Sequence, residues 1–482
     1  MAVLLAGVML GGCAVGPDFH HPESPKAARY TEKSMPGETV AAGGMSQHFD
    51  HGADIPGDWW KLFHSASLDR LVKSALDGSP TLDAARATLT QAQEDLAAAT
   101  GAEFPQASLN LGAQRQRFSP AIFGGTGAPS MFNLYNASVQ ISYGIDLFGG
   151  LRRQIESQEA QVEYESCQYQ GAMIALTANV VTSAVTEASL REQIMSTMEI
   201  ISSEEKQVRI VENQLKLGGA SRADLLVQKA QLAQARASLP PLEKALSQVR
   251  HQLAVYVGKT PQDASLPVIR LEELHLPENL PVSLPSELAK QRPDIRAAEA
   301  LLHEASAQVG VATANLYPQI TLSANIGSTT TSMSTLFTSR TNIWNVSAGL
   351  VQPIFNGGTL RSQKKAAVAA FDKAYADYRQ TVLQSFQNVA DVLRALDADA
   401  ATLKADQDAQ ISAKDSLDLV RRQFELGAAS YLSLLAADKQ YQQSRVAVIQ
   451  AKASRMADTA ALFQAMGGGW WHNTKNGEVS DD

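Results

Sequence analysis

The chain has 482 residues, with 41 basic and 49 acidic side chains and a formal net charge of −8. This mildly acidic balance, with no basic patch, excludes nucleic acid as a partner. Aromatic residues make up 6% of the chain, while Ala and Gln crowd its middle, which suits helices packed side by side better than one thick core.

Residues 1–12 form an apolar leader too short to span a bilayer, ending at Cys13. Leu10-Gly11-Gly12-Cys13 resembles the bacterial lipobox, in which a signal peptidase cuts before a cysteine that carries lipid, although the usual positively charged start is missing. Cys13 is therefore the expected lipidation site. Ala14, in place of the aspartate that retains such lipoproteins in the inner membrane, points to the outer membrane. Residues 13–57 are rich in Pro, Gly, Ser and His and read as an extended, lipidated tether. His20, His21, His48, His51 and His64 fall in or just after it, but no cysteine or carboxylate cluster accompanies them, so no metal site is expected. No later stretch holds about 18 consecutive apolar residues, so no transmembrane helix is expected either.

Residues 58–257 form a first repeat. Helical spacing runs from Ser67 to about Thr100, with a helix opening after Ser79-Pro80. The period then changes to two. Ala107, Leu109 and Leu111 alternate with polar residues, as do Tyr135, Ala137, Val139, Ile141 and Tyr143. This predicts a β-hairpin over 104–148 with strands of about ten residues and a loop at 113–131. A proline-free run from Leu151 to Leu217 then predicts a helix of about 100 Å. It turns at Gly218 and returns to residue 257 along a heptad-like Leu seam, with a break expected at Pro240-Pro241. Cys167 in the first long run reads as a small apolar filler.

Residues 258–285 are an irregular, proline-rich linker, after which residues 286–466 repeat the programme. Arg292-Pro293 opens a helix, and Tyr317-Pro318-Gln319 repeats Phe104-Pro105-Gln106. A second hairpin is predicted over 317–355 and a second long helical hairpin over 360–466, before a tail at 467–482. The turns match residue for residue: Leu217/Leu426, Gly218/Gly427, Ala220/Ala429, Ser221/Ser430, Leu225/Leu434 and Arg236/Arg445. Gly218 and Gly427 suit the left-handed residue that ends a helix, and Ser221 and Ser430 suit the cap of the next one.

Four strands with one apolar and one small polar face are long enough to cross a membrane, yet four cannot close a barrel and lipid does not tolerate open edges. The chain must associate, and three copies make twelve strands around an aqueous lumen. Phe104, Tyr135, Tyr143, Tyr317 and Trp344 are candidates for interfacial girdles. A mixed α and β fold is expected, a trimeric barrel continuous with a long helical one.

The lipobox, Val15-Gly16-Pro17-Asp18-Phe19, Trp59-Trp60-Lys61-Leu62-Phe63, Arg292-Pro293-Asp294-Ile295, Gln352-Pro353-Ile354-Phe355-Asn356-Gly357-Gly358 and the doubled Leu-Gly-x-Ala-Ser turn together resemble the TolC-like outer-membrane factor family. The closest branch is the NodT-type lipoproteins of RND efflux systems. The resemblance covers essentially the whole chain. It implies a homotrimer, lipid-anchored in the outer membrane and reaching into the periplasm, serving as the passive duct of an inner-membrane pump joined through a periplasmic adaptor. Drugs or other toxic small molecules are the implied cargo. No enzyme activity and no cofactor are expected: Gly258-Lys259-Thr260 looks like the end of a P-loop, but Leu253 stands where its first glycine belongs. A lipid-anchored coiled-coil tether without a pore is the alternative, and it has no use for transmembrane strands.

The resemblance makes the turns the periplasmic tips, at Gly218, Gly219 and Gly427, with residues just past them lining a constriction. The family's acidic positions are Ser433 and Ala436 here, with Asp438 nearby. Arg222 and Asp224 are charged in the first turn and read either as gate residues or as ordinary helix-terminus residues. The closed state is expected to rely on Tyr431, Leu432 and backbone packing more than on an aspartate ring.

Overall fold

A computed structural model describes residues 14–23, 27, 29–32 and 35–472. The leader, Cys13 and the tail beyond residue 472 lie outside the described residues. In chain order the elements are β1 (His48–His51), a 3-10 turn at Trp59–Phe63, α1 (Ala66–Gly78), α2 (Pro80–Gly101), β2 (Gln106–Phe118), β3 (Ser130–Ile145), α3 (Gly150–Lys216), α4 (Arg222–Tyr256), β4 (Asn279–Val282), α5 (Pro285–Gln291), α6 (Pro293–Ala314), β5 (Gln319–Thr330), β6 (Asn342–Val351), α7 (Thr359–Glu425) and α8 (Tyr431–Ala465). The fold is mixed α and β, mostly helical and written twice. Both α3 and α7 span 67 residues, and both α4 and α8 span 35.

Local chemistry fixes one helix boundary and corrects two expectations. The helical pattern from Ser67 to Thr100 is two helices, because Ser79 is extended (φ −75°, ψ 116°) ahead of Pro80, and the residue before a proline is pushed out of the helical region. Pro240-Pro241 does not break α4, which is continuous through both. The two prolines are exposed, so water can bond the carbonyls that lose their amide partners. The strands of the first hairpin run to Phe118 and back from Ser130, shortening the loop expected at 113–131. Gln114-Arg115-Gln116-Arg117 hides the alternation, but the backbone ladder forms regardless of side chain, with Arg117 opposite Met131.

Two compact units cut across the sequence repeats. The first takes residues up to Pro22, Thr88–Ser166 and Ala297–Arg379. Its centre is a four-stranded antiparallel sheet in the order β2-β3-β5-β6. Residues 14–19 are strapped to this unit. Val15 N donates to Phe148 O at 3.0 Å, Asp18 pairs with the buried Arg153 at 2.6 Å, and Phe19 stacks on His303 at 4.3 Å. A Cβ at Gly16 would lie 2.5 Å from Gly310 Cα, so only glycine permits that approach.

The second unit holds Glu23–Ala87, Cys167–Arg296 and Gln380 onward. Its core gathers Trp59, Phe63, Leu68, Val181, Leu253, Leu280 and Phe463, with Trp59 stacked on Phe463 at 5.0 Å. Cys167 is buried. The segment read as a tether is packed here rather than extended. His48–His51 pairs in parallel with Asn279–Val282, Phe49 and Ile55 are buried, and the Gln47 amide donates to Pro277 O and Thr459 Oγ1. Its polar composition conceals this because the anchoring is largely by hydrogen bonds. One 18-residue window of α3 reaches a mean hydropathy of 1.3, and 67% of it is buried inside the chain, as in a core helix.

Candidate functional site

Two features are the candidate functional sites, the faces of the sheet and the two helical turns. Register sorts the sheet residues into rows. Leu109, Val139, Ile326 and Trp344 form one row across all four strands, and Ala107, Ile141, Ala324 and Val346 the next. Every residue of the first row is exposed, Trp344 by 77%. On the other face Ser108, Gln140, Asn325 and Asn345 form one row and Gln106, Ser142, Ser323 and Ser347 another. The sheet thus shows a continuous apolar surface on one side and amides and hydroxyls on the other. Such a surface is far too apolar for water and matches the outward band of a membrane barrel. Phe104 and Trp344 are exposed aromatics, while Tyr317 stacks on Phe148 at 4.7 Å.

The turns lie in the second unit. Gly218 has φ 80° and Gly427 φ 74°. Gly219 N donates to Gln214 O at 2.7 Å and Ala428 N to Gln423 O at 2.8 Å, and the glycine N–H groups bond Leu215 O and Phe424 O, closing a Schellman motif in each repeat. Beyond the first turn Ser221 Oγ accepts from Asp224 N at 3.1 Å, while Asp224 accepts from Ser221 N at 2.9 Å. This capping box gives Asp224 a helix-capping role, and its bonds from Ser221 hold its carboxyl below the ordinary range. At the equivalent second cap Ser430 Oγ accepts from Ser433 N at 3.1 Å. Arg222, Leu432, Ser433 and Ala436 are exposed, as are Leu217 and Leu426 beside the turns.

Tyr431 and Asp438 point inward instead. The Tyr431 hydroxyl donates to Gln228 Oε1, Gln228 Nε2 donates to Glu204 Oε2, and Gln442 Nε2 donates to Asp438 Oδ2. Glu204, Gln228 and Asp438 are all buried. Burial is the main cause that pushes the Glu204 and Asp438 carboxyls up, with the Asp438 charge adding to the effect on Glu204 and Arg421 opposing it at Asp438. Burial likewise raises the Tyr431 phenol. This polar knot ties α3, α4 and α8 of one chain together. Its members Glu204, Gln228 and Gln442 escape motif reading. Their signal is positional: Gln228 sits three residues after Leu225 and four before Leu232, a seam position that an apolar residue would ordinarily fill. Two ion pairs flank the knot, Arg236 on Glu205 at 2.6 Å and Arg445 on Glu199 at 2.7 Å. Both matched arginines therefore hold their helices to α3.

Comparison with known proteins agrees with this geometry. The family model described as "Outer membrane efflux protein" matches residues 71–259 and 284–468, one match per repeat. The chain is 31% identical over 418 residues to the pyoverdine export outer membrane protein OpmQ of Pseudomonas aeruginosa, covering 86% of this chain and 87% of that one. It is 27% identical over 463 residues to the probable outer membrane lipoprotein SilC of Salmonella typhimurium, covering 96% and 97%. Among solved structures, the outer-membrane channel OprN superposes with a TM-score of 0.86 at 26% identity, over 95% of this chain and all of that one. The Campylobacter jejuni CmeC channel, at 20% identity, shares the fold with a TM-score of 0.88 over 96% of this chain and 98% of its own. The chain belongs to the outer membrane efflux protein family.

Proposed function

We propose that the chain is the outer-membrane channel of a tripartite efflux system, in which three copies close their four-stranded sheets into one twelve-stranded barrel. The observation that carries this reading is the sheet itself, with an exposed apolar face, a polar opposite face and two unpaired edges. Hydrocarbon leaves no bonding partner for an open edge, so closure needs further copies. The polar rows then line an aqueous lumen and the apolar rows meet lipid. The helices continue the passage into the periplasm, with no chemistry of their own. An adaptor engaging the helical turns and an RND-type pump in the inner membrane supply partner and energy. Relatives named for pyoverdine export and toluene efflux support small amphipathic molecules as the cargo. Lipid on Cys13 would sit one residue ahead, in sequence, of the strapped residues Ala14–Phe19.

In this reading the turns form the periplasmic mouth. Leu432 faces outward at the rim, while Tyr431 and Asp438 act from within, by holding α8 against α3 and α4. The test is reconstitution in a planar bilayer. The wild-type protein should give small or rare openings and Tyr431→Ala larger, steadier ones. Complete absence of conductance from both would favour a lipid-anchored tether without a pore.

A further inference from the structure

The sequence repeat makes one junction inside the chain a template for the junction between copies. Within the chain β3 pairs antiparallel with β5, joining the first repeat to the second. Just past this pairing Phe148, which follows β3, stacks on Tyr317, which precedes β5, with centroids 4.7 Å apart and planes 19° apart. The equivalent two aromatics, one from each repeat, make no such contact in the single chain. Phe355, in Pro353-Ile354-Phe355, stands where Phe148 stands in Asp146-Leu147-Phe148, and it is 92% exposed. Phe104, in Phe104-Pro105-Gln106, stands where Tyr317 stands in Tyr317-Pro318-Gln319, and it is 64% exposed. These two residues flank β6 and β2, the two open edges of the sheet.

We infer that a second copy covers each edge by repeating the inner junction: Phe355 of one copy stacks on the next copy's Phe104, and β6 pairs antiparallel with the next copy's β2, Leu350 opposite Leu109. The inference rests on the trimeric duct proposed above and adds its seam. The register follows by moving the observed β3–β5 pairs to their repeat equivalents. Tyr143 opposite Leu322 becomes Leu350 opposite Leu109, Val139 opposite Ile326 becomes Val346 opposite Ala113, and Ser138 opposite Gly327 becomes Asn345 opposite Gln114.

The side chains supply an independent check. In this register Leu350, Ala348 and Val346 meet Leu109, Leu111 and Ala113, so the apolar rows continue across the seam, and Gly349 and Asn345 meet Asn110 and Gln114 on the polar face. A slip of one residue would turn one strand's apolar set onto the polar side. A slip of two keeps the faces but pulls Phe355 and Phe104 out of line by about 7 Å. The aromatic pair therefore fixes which of the face-matched registers is used. It also gives two otherwise water-exposed rings the offset-stacked contact that such rings favour.

Cysteine cross-linking of the full chain in outer-membrane vesicles, in a Cys167→Ala background, tests the seam. Directly opposed residues lie close enough for a disulfide and diagonal ones do not, and only one face carries the closer pairs. One pair is therefore taken from each face, Asn345→Cys with Gln114→Cys and Val346→Cys with Ala113→Cys. The matched controls slip by two: Asn345→Cys with Gln116→Cys and Val346→Cys with Arg115→Cys. After mild oxidation at least one predicted pair should give covalent dimers and trimers on denaturing gels, at ten or more times the yield of its control. Separately, Phe104→Ala and Phe355→Ala should each lower the temperature at which the assembly dissociates, and the double variant by no more than the larger single effect. Cross-linking through the slipped pairs, or additive losses from the two alanines, overturns the seam. Native mass spectrometry separates this from the parent reading. A trimer that never cross-links sinks the register alone, whereas a monomer in detergent sinks the duct and the seam together.

Discussion

The knot around Tyr431 shows how few atoms hold the turns. The Tyr431 hydroxyl donating to Gln228 is one bond that links α8 to α4 there. Tyr431→Phe keeps the ring and leaves a buried amide oxygen without its donor, which costs about 1–3 kcal/mol. Amide exchange along Arg222–Gln228 should speed up correspondingly, while exchange in the sheet stays unchanged; equal acceleration everywhere would rule out a local role. A second residue-scale device lies farther along α7 and α8. Asp399 is pushed up to about 6, first by burial and then by the hydrogen bond it shares with Asp458, with Arg455 opposing. Its Oδ2 has no donor of its own. A folded value above the ordinary one favours the protonated acid, so this contribution is complete below about pH 4 and is lost as pH rises through about 6. Asp399→Asn carries a donor at every pH. It should flatten the melting temperature between pH 4.5 and 7.5 and add on the order of 1 kcal/mol at the upper end, after allowance for solvent. An unchanged pH profile would dismiss the pair. Neither device is legible in the sequence, because a buried carboxyl and a surface one are written with the same letter, and only packing tells them apart.

At the scale of elements the sequence is far more explicit. Both long helices, both glycine turns and both strand pairs are visible as periodicity and as one motif written twice, because caps and turns are chosen by local chemistry. Gly218→Ala and Gly427→Ala should each cost about 1 kcal/mol, from backbone strain alone, since a Cβ at either site meets nothing within 4 Å. Thermal melts of the single and double variants check this, and a loss several times larger in either would mean a contact from outside the chain. The misreadings at this scale share a cause. Proline in an exposed helix, polar residues on both faces of a strand and a hydrogen-bonded N-terminal segment all hide regular structure, because the pattern records side chains and the fold is also made by backbone.

For the whole molecule, the exposed apolar rows decide where the protein resides. Val346→Arg places a charge in the centre of the outer face, where it costs roughly 2–4 kcal/mol at a bilayer midplane. It should reduce the heat-stable outer-membrane form, whereas Asn345→Arg on the opposite face should leave insertion intact and alter ion selectivity. Loss of insertion from both would assign the two faces wrongly. The equal lengths of the helices, 67 with 67 and 35 with 35, carry a last consequence. Two near-identical turns, each stiffened by its own Schellman bonds, present each chain's end as a pair of almost interchangeable teeth. A partner that grips only the backbone of a turn would count six seats on a trimer. One that reads Asp224 against Ser433, or Ala223 against Leu432, would count three. The stoichiometry of a partner docking on the proposed trimer would thus be set by how deeply that partner reads, and exchanging the residues after the two turns would convert one count into the other.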